Sequence, residues 1–142
     1  MSDRACRIVL VEDEISDITF MRKAFERGAF DHEVVDVLNG LEFFEYLSEA
    51  SVSDELPDLV LLDLSLPGTS GLDILQELRR GDTCPHVVVI VLTSSSYKQE
   101  VDAAYAAGAN AFVTKPARLK ELDRFVELIE GFWLSLAHLP GR

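Results

Sequence analysis

Five short apolar runs recur along the chain, separated by stretches that have helical spacing. Three of the runs are continuously apolar rather than alternating, as expected for strands buried on both faces of a parallel sheet. The runs span residues 8–11, 34–37, 59–62, 87–92 and 111–113. This pattern predicts five β-strands at regular intervals.

The stretches between the runs carry apolar side chains that share one face of a helix. Glycines at positions 28, 81 and 108 follow three of these stretches and act as helix stop signals. The alternation predicts an α/β fold, (βα) repeated five times, with a doubly wound parallel sheet and helices on both faces. The predicted helix faces are Ile18, Met21 and Phe25; Leu41, Phe44 and Leu47; Leu72, Leu75 and Leu78; Val101, Ala104 and Tyr105; and, for the longest stripe, Leu122, Phe125, Val126, Ile129, Phe132, Trp133 and Leu136.

Composition and charge narrow the class of protein. The 142 residues, 48% of them hydrophobic, suit one globular domain over residues 1–142. The net charge of −12 argues against nucleic-acid binding, since phosphate backbones require clustered Lys and Arg. Arg79 and Arg80 are interpreted as a solvated helix end. No apolar run approaches the roughly 20 residues of a membrane span. The start of the chain also lacks the apolar stretch of a signal peptide. We therefore expect a cytoplasmic protein that does not associate with a membrane.

Polar side chains follow four of the five predicted strands. Glu12 and Asp13 follow the first strand, Asp63 the third, Thr93 the fourth and Lys115 the fifth. In open parallel sheets, ligands bind outside the carboxyl ends of the strands, so these groups should meet at one edge. Three clustered carboxylates repel one another and need a cation, and Mg²⁺ suits them. Asp63 is then the natural nucleophile for a phosphoryl group, with Lys115 and Thr93 stabilising its oxygens.

Each of these residues also has a simpler interpretation. Glu12 and Asp13 could cap a helix, and Asp63 could form a turn. Thr93 could begin a capping run, and Lys115 could be an exposed charge. Their joint placement at one sheet edge favours the phosphoryl-transfer site.

As a set, residues 11–14, 62–71, 92–94 and 115–116 resemble the signature of two-component response-regulator receiver domains. The resemblance covers roughly residues 7–132, with Ser70 standing where an Asp commonly precedes the glycine. It implies a flavodoxin-like fold with strand order 2-1-3-4-5. It further implies a set of site roles: metal ligands at Glu12, Asp13, Asp63 and the Ser65 backbone carbonyl; the phosphoacceptor at Asp63; a switch pair at Thr93 and Phe112; and a cis peptide bond before Pro116.

A narrower resemblance is to the single-domain regulators that partner bacterial and cyanobacterial phytochrome histidine kinases. It is carried by residues 12–18, 32–35 and 132–140. It implies a sensor histidine kinase as partner and a homodimer. The last helix is expected to extend past the core from about residue 132, so that Phe132, Trp133 and Leu136 become candidates for the dimer interface.

The sequence therefore predicts a stand-alone response regulator that accepts a phosphoryl group on Asp63 in a Mg²⁺-dependent reaction and changes conformation. Such a protein is not an enzyme with a separate substrate; it catalyses its own phosphotransfer and slow autodephosphorylation. One alternative is an aspartyl-phosphate hydrolase of the haloacid dehalogenase type, but those enzymes have an acid where this chain has Ser65. The other is a non-phosphorylated scaffold, which usually lacks the acceptor Asp or the Lys.

Overall fold

A five-stranded parallel sheet runs through the structure, and helices cover both of its faces. The computed structural model describes residues 5–66 and 68–141; Pro67, part of the receiver signature, lies outside the described residues. The strand order is β2-β1-β3-β4-β5, and every pairing is parallel, so the predicted order is confirmed. The strands are β1 Cys6–Val11, β2 His32–Val37, β3 Leu59–Asp63, β4 Val88–Thr93 and β5 Ala111–Thr114.

The helices divide into two layers because successive strand residues point to opposite faces. Ile8 and Leu10 pack towards α1 and α5, whereas Val9 and Val11 pack towards α2, α3 and α4. Among the residues described, no helix combines the length and the apolar character needed to span a bilayer. The helices are α1 Ile15–Arg27, α2 Gly40–Val52, α3 Gly71–Arg80, α4 Lys98–Ala106 and α5 Leu119–Phe132.

The buried face of α2 differs from the predicted one. Asn39 caps this helix by accepting a 2.9 Å hydrogen bond from the Glu42 backbone N–H. From that start, Phe43 and Leu47 turn into the core, while Leu41 is 71% exposed. The spacing of Leu41, Phe44 and Leu47 was compatible with a helix, but Phe43 offered a second face with the same period. Burial against the sheet selected that second face.

Arg79 is not the solvated helix end that we expected. Its guanidinium donates to the Gly108 carbonyl through Nε (3.0 Å) and Nη2 (2.8 Å). Nη1 donates to the carbonyls of Pro85 (3.0 Å) and Val87 (2.6 Å), and Nη2 also reaches Asn110 Oδ1 (3.0 Å). The planar, five-donor group therefore ties the end of α3 to the turns that lead into β4 and β5.

The chain turns back after α5 instead of projecting as a helix. The Ser135 hydroxyl donates to the Glu130 carbonyl at 2.6 Å, which closes the helix end. Trp133 is partly buried and packs against the core between the sheet, α1 and α5, so the expectation of an exposed Trp133 is wrong. Phe132 and Leu136 remain 51% and 76% exposed, as expected for interface candidates.

A buried, hydrogen-bonded side-chain pair joins the start of β2 to the end of α5. Glu130 Oε2 lies 2.7 Å from His32 Nε2 and also accepts from the Phe30 N–H, while Oε1 accepts from the Ala29 N–H. Burial raises the pKa of Glu130, but the hydrogen bonds from His32, Phe30 and Ala29 outweigh it and hold that pKa below its usual value. The ionised carboxylate therefore fixes the α1–β2 turn to α5.

We predict that Glu130→Gln lowers the free energy of unfolding by about 2 kcal/mol at neutral pH, since a buried acceptor of three hydrogen bonds loses its charge. The folded-state pKa of Glu130 lies below its unfolded value near 4.5, so this stabilisation is complete above that pH and is lost as the pH falls below it. Urea unfolding at pH 7 and pH 4 measures both effects. Glu127→Gln, an exposed carboxylate on the same helix, is the control. Equal losses in the two variants would contradict the prediction.

Candidate functional site

The Lys115 ammonium lies among three carboxylates at the carboxyl edge of the sheet. Its Nζ atom is 2.6 Å from Glu12 Oε1, 3.0 Å from Asp17 Oδ2 and 3.1 Å from Asp63 Oδ2. Burial lowers the pKa of Lys115, but hydrogen bonds to Glu12 and Asp17 and the charges of Asp63 and Glu12 raise it well above its usual value. Lys115 is therefore a permanent cation at this site.

Glu12, Asp13 and Asp63 form an acidic cluster beside this ammonium. One carboxylate oxygen of each lies within 4.8 Å of the others. Burial raises the pKa of Glu12 to about 7, with the hydrogen bond from Lys115 opposing the shift and Asp63 adding to it. Hard oxygen ligands that converge in this way fit a divalent cation, and the donor set is of the kind that holds Mg²⁺ or Ca²⁺.

The Asp63 carboxylate is held from two sides at the end of β3. Its Oδ1 accepts a 3.0 Å hydrogen bond from the Ser65 backbone N–H, and its Oδ2 faces Lys115. The loop after β3 folds closely against the start of α3: a Cβ on Gly71 would lie 2.5 Å from the Asp63 carbonyl oxygen and 2.6 Å from the Leu64 Cα. Glycine is therefore required there. Ser70 caps α3 by accepting from the Asp73 N–H at 3.3 Å, which an Asp at that position would also do.

Thr93 and Phe112 lie on the neighbouring strands β4 and β5. Thr93 is buried, and its hydroxyl accepts a long, 3.4 Å bond from the Ser95 N–H, its one hydrogen bond to the described residues. The Thr93 carbonyl accepts from the Lys115 N–H at 2.7 Å, which sets the lysine beside the end of β4. Phe112 is partly buried on the edge strand, and its N–H donates to the Tyr105 hydroxyl of α4 at 3.2 Å.

The expected cis bond before Pro116 is not present. No described peptide bond is cis, so Lys115–Pro116 is trans. The trans form of an X–Pro bond is favoured by about 0.5–1 kcal/mol, and Lys115 reaches Glu12 and Asp63 from it.

A cavity of about 590 Å³ opens beside Asp63 and Lys115. Apolar side chains of α1 and of the β5–α5 region form most of its wall, including Phe20, Met21 and Leu122. The site is thus reached through an apolar depression between α1 and α5.

Asp17 is the site residue for which the sequence suggested no role. It belongs to the first turn of α1, and the side chain four residues later, Met21, is buried. Asp17 borders the buried face of α1 at its N-terminal end, near the carboxyl edge of the sheet, so this spacing was the signal that could have revealed the contact with Lys115.

The sequence model of the response regulator receiver domain matches residues 8–127 of this chain. The chain belongs to this family. Response regulator Rcp1 from Synechocystis sp. is 33% identical over 94% of this chain and 92% of its own length. The phosphorylated cyanobacterial phytochrome response regulator RcpA is 36% identical and has a TM-score of 0.88, covering 97% of this chain and 100% of its own.

A second solved structure bears on the acidic cluster. It is the Mn²⁺-bound form of Rcp1, 33% identical with a TM-score of 0.82, and the match covers 96% of this chain and 99% of that one. The predicted resemblance to receiver domains and to single-domain phytochrome regulators is therefore confirmed. The haloacid dehalogenase alternative is not favoured.

Proposed function

We propose that this receiver accepts a phosphoryl group on Asp63 from a sensor histidine kinase and passes the signal on through a change of conformation. The observation that carries the proposal is the Asp63 carboxylate itself. It is buried at the end of β3 between the Ser65 N–H and the Lys115 ammonium, and it belongs to the acidic cluster with Glu12 and Asp13.

Mg²⁺ is the proposed metal. The carboxylates of Glu12, Asp13 and Asp63, together with the Ser65 backbone carbonyl, would hold it, and Rcp1 has been solved with Mn²⁺ bound. When bound, the cation would neutralise negative charge on the phosphoryl oxygens. The residues support this assignment because the cluster has more carboxylates than Lys115 alone can neutralise.

The chain's own residues supply the rest of the chemistry. An Asp63 oxygen attacks the phosphorus of the kinase phosphohistidine; an O–P bond forms, the P–N bond breaks, and the imidazole leaves with the electron pair. Lys115 and the Thr93 hydroxyl stabilise the phosphoryl oxygens. Water later attacks the phosphorus of the acyl phosphate; the O–P bond to Asp63 breaks, inorganic phosphate leaves, and the Asp63 carboxylate is regenerated. We infer that this autodephosphorylation is slow, because Ser65 stands where a hydrolase has its general acid.

A phytochrome-type kinase is the proposed partner. The solved regulators RcpA and AtBRR, 36% and 33% identical to this chain, are respectively a cyanobacterial phytochrome and a bacteriophytochrome response regulator. We further propose that residues 1–142 act as a single receiver domain in the cytoplasm. The net charge of −12 repels the phosphate backbone, so we do not expect the protein to bind nucleic acids.

The switch pair is proposed to be Thr93 and Phe112. The Thr93 hydroxyl has one long hydrogen bond, so little holds it against movement towards a phosphoryl oxygen. That movement would leave space that Phe112 fills. Phe112 lacks a phenolic hydroxyl, so packing alone drives its movement, and we expect a loose two-state balance. The bond between the Phe112 N–H and Tyr105 would transmit the change to α4.

A homodimer through the α5 end is the proposed assembly. Leu128 and Phe132 lie four residues apart on the exposed face of α5, and Leu136 follows in the tail. A symmetric contact would cover these apolar side chains. Trp133 would support the interface from its packed position beside Phe132, whose ring lies 5.0 Å away.

We expect Mg²⁺-dependent labelling of Asp63 as the direct test of the function. Mass spectrometry after incubation with acetyl phosphate or a phytochrome-type kinase should find one phosphoryl group on Asp63. Labelling should fall to background in Asp63→Asn and in chelator, whereas the exposed Asp73→Asn control should label normally. Undiminished labelling of Asp63→Asn would exclude the proposal, and sustained turnover of a phosphomonoester would favour the hydrolase.

For the switch, we predict that Mg²⁺ and beryllofluoride move Phe112 inward. Crystal structures or NMR spectra with and without this phosphoryl mimic measure the movement. Thr93→Val is the matched control: it keeps the side-chain shape but lacks the hydroxyl, so Phe112 should stay in place. If Phe112 is unmoved in the wild type, with no change on the α4–β5–α5 side, the switch proposal fails.

For the dimer, we predict that Phe132→Glu/Leu136→Glu is a folded monomer at tens of micromolar while the wild type sediments as a dimer. The matched control is Leu41→Glu/Val52→Glu, which places the same charges on exposed apolar positions of α2. A monomeric wild type, with and without phosphorylation, would refute the dimer.

A further inference from the structure

Asp17 contacts Lys115 although it is not part of the acidic cluster. Its side chain is 44% exposed, against 3% for Glu12, and it lines the cavity that leads to Asp63. An ammonium group has three N–H donors. Glu12, Asp17 and Asp63 each lie within 3.1 Å of Nζ, so carboxylates occupy the whole donor capacity of Lys115 before any phosphoryl group arrives.

The three contacts differ in how easily they are released. Separating Glu12 from Lys115 would leave a buried carboxylate without its cation, which is costly. The contact with Asp63 passes to the phosphoryl group when that group forms on the same carboxylate. Asp17 is solvated, so water replaces Lys115 at little cost. Asp17 is therefore the carboxylate that releases Lys115 when the ammonium pairs with the phosphoryl oxygens.

We propose that Asp17 is a positioning residue that holds the Lys115 ammonium in the unphosphorylated protein and competes with the phosphoryl group for it. The proposal rests on the phosphorylation of Asp63 proposed above. In this role Asp17 slows the phosphorylation of Asp63. It keeps Lys115 paired in the unphosphorylated protein, and its negative charge repels an incoming anion.

The negative charge of Asp17 determines the direction and the size of its effect on the binding of a phosphoryl group. The Asp17 and Asp63 oxygens lie on one nitrogen, so they are no more than about 6 Å apart. Asp17 is solvated, so the dielectric constant of water applies, and one negative charge at about 6 Å opposes an incoming monoanion roughly threefold and a dianion roughly tenfold. Removing the charge without changing the shape should therefore help both the phosphoryl group and its mimic.

The test compares Asp17→Asn, Asp17→Glu and Glu26→Gln in the full chain with Mg²⁺. The rate of Asp63 labelling by acetyl phosphate and the affinity for beryllofluoride, followed by NMR, are measured for each. Asp17→Asn should label roughly threefold to tenfold faster and bind beryllofluoride tighter by a similar factor. Asp17→Glu should return both values towards the wild type because its carboxylate again reaches Lys115. Glu26→Gln removes one exposed charge from the same helix, two and a half turns away, and should change neither value.

The outcomes separate this proposal from the proposed function. If Asp63 of the wild type is phosphorylated but the Asp17→Asn variant is phosphorylated at the same rate or more slowly, the inhibitory role of Asp17 is refuted. An equal gain in Glu26→Gln would refute it too, since net charge rather than the contact would then be responsible. If wild-type Asp63 takes no phosphoryl group from acetyl phosphate or kinase, the proposed function itself fails.

Discussion

The site depends on one partly buried cation, Lys115, among carboxylates. Glu12 and Asp63 are both buried, and two like charges so close together need compensation. Lys115 provides it, although β5 is separated from β3 by β4 and from β1 by β3 and β4. The long, flexible lysine stem spans these strands along the carboxyl edge. The strand order therefore determines how the charges of the site are arranged. It places the carboxylates that follow β1 and end β3 side by side, and it leaves the Lys115 ammonium within one side-chain length of them.

The opposite edge of the sheet has polar groups with a different task. Glu130 and His32 join α5 to the start of β2, and Arg79 joins α3 to the turns before β4 and β5. Most of the hydrogen bonds of Glu130 and Arg79 go to backbone groups of the adjoining turns, so they fix the amino edge. The carboxyl edge is different because Lys115 shares its donors among several acceptors and the Thr93 hydroxyl accepts a long, 3.4 Å hydrogen bond from the Ser95 N–H. A conformational change is thus expected at the carboxyl edge while the amino edge stays fixed.

The sequence predicted the parts of the molecule that follow from periodicity and topology. Continuous apolar runs identified the strands, and the rule that ligands bind at the carboxyl ends of parallel strands placed Glu12, Asp63 and Lys115 at one edge. Two residues whose roles the sequence analysis misjudged or missed, Arg79 and Asp17, make contacts with distant elements. The partners of Arg79 and Glu130 lie in remote turns, and their local sequence resembles ordinary surface charge. Asp17 was overlooked for the same reason, because its partner is 98 residues away.

Ser65 connects the geometry of the site to its proposed use as a signal. Its backbone N–H fixes Asp63 while its side chain is exposed and brings no ionisable group. The carboxylates nearest to Asp63 are engaged with Lys115 or belong to the acidic cluster. A general acid at position 65 would protonate a leaving group, so that the same set of residues could hydrolyse a phosphomonoester repeatedly. The serine at this position is consistent with the slow autodephosphorylation proposed above.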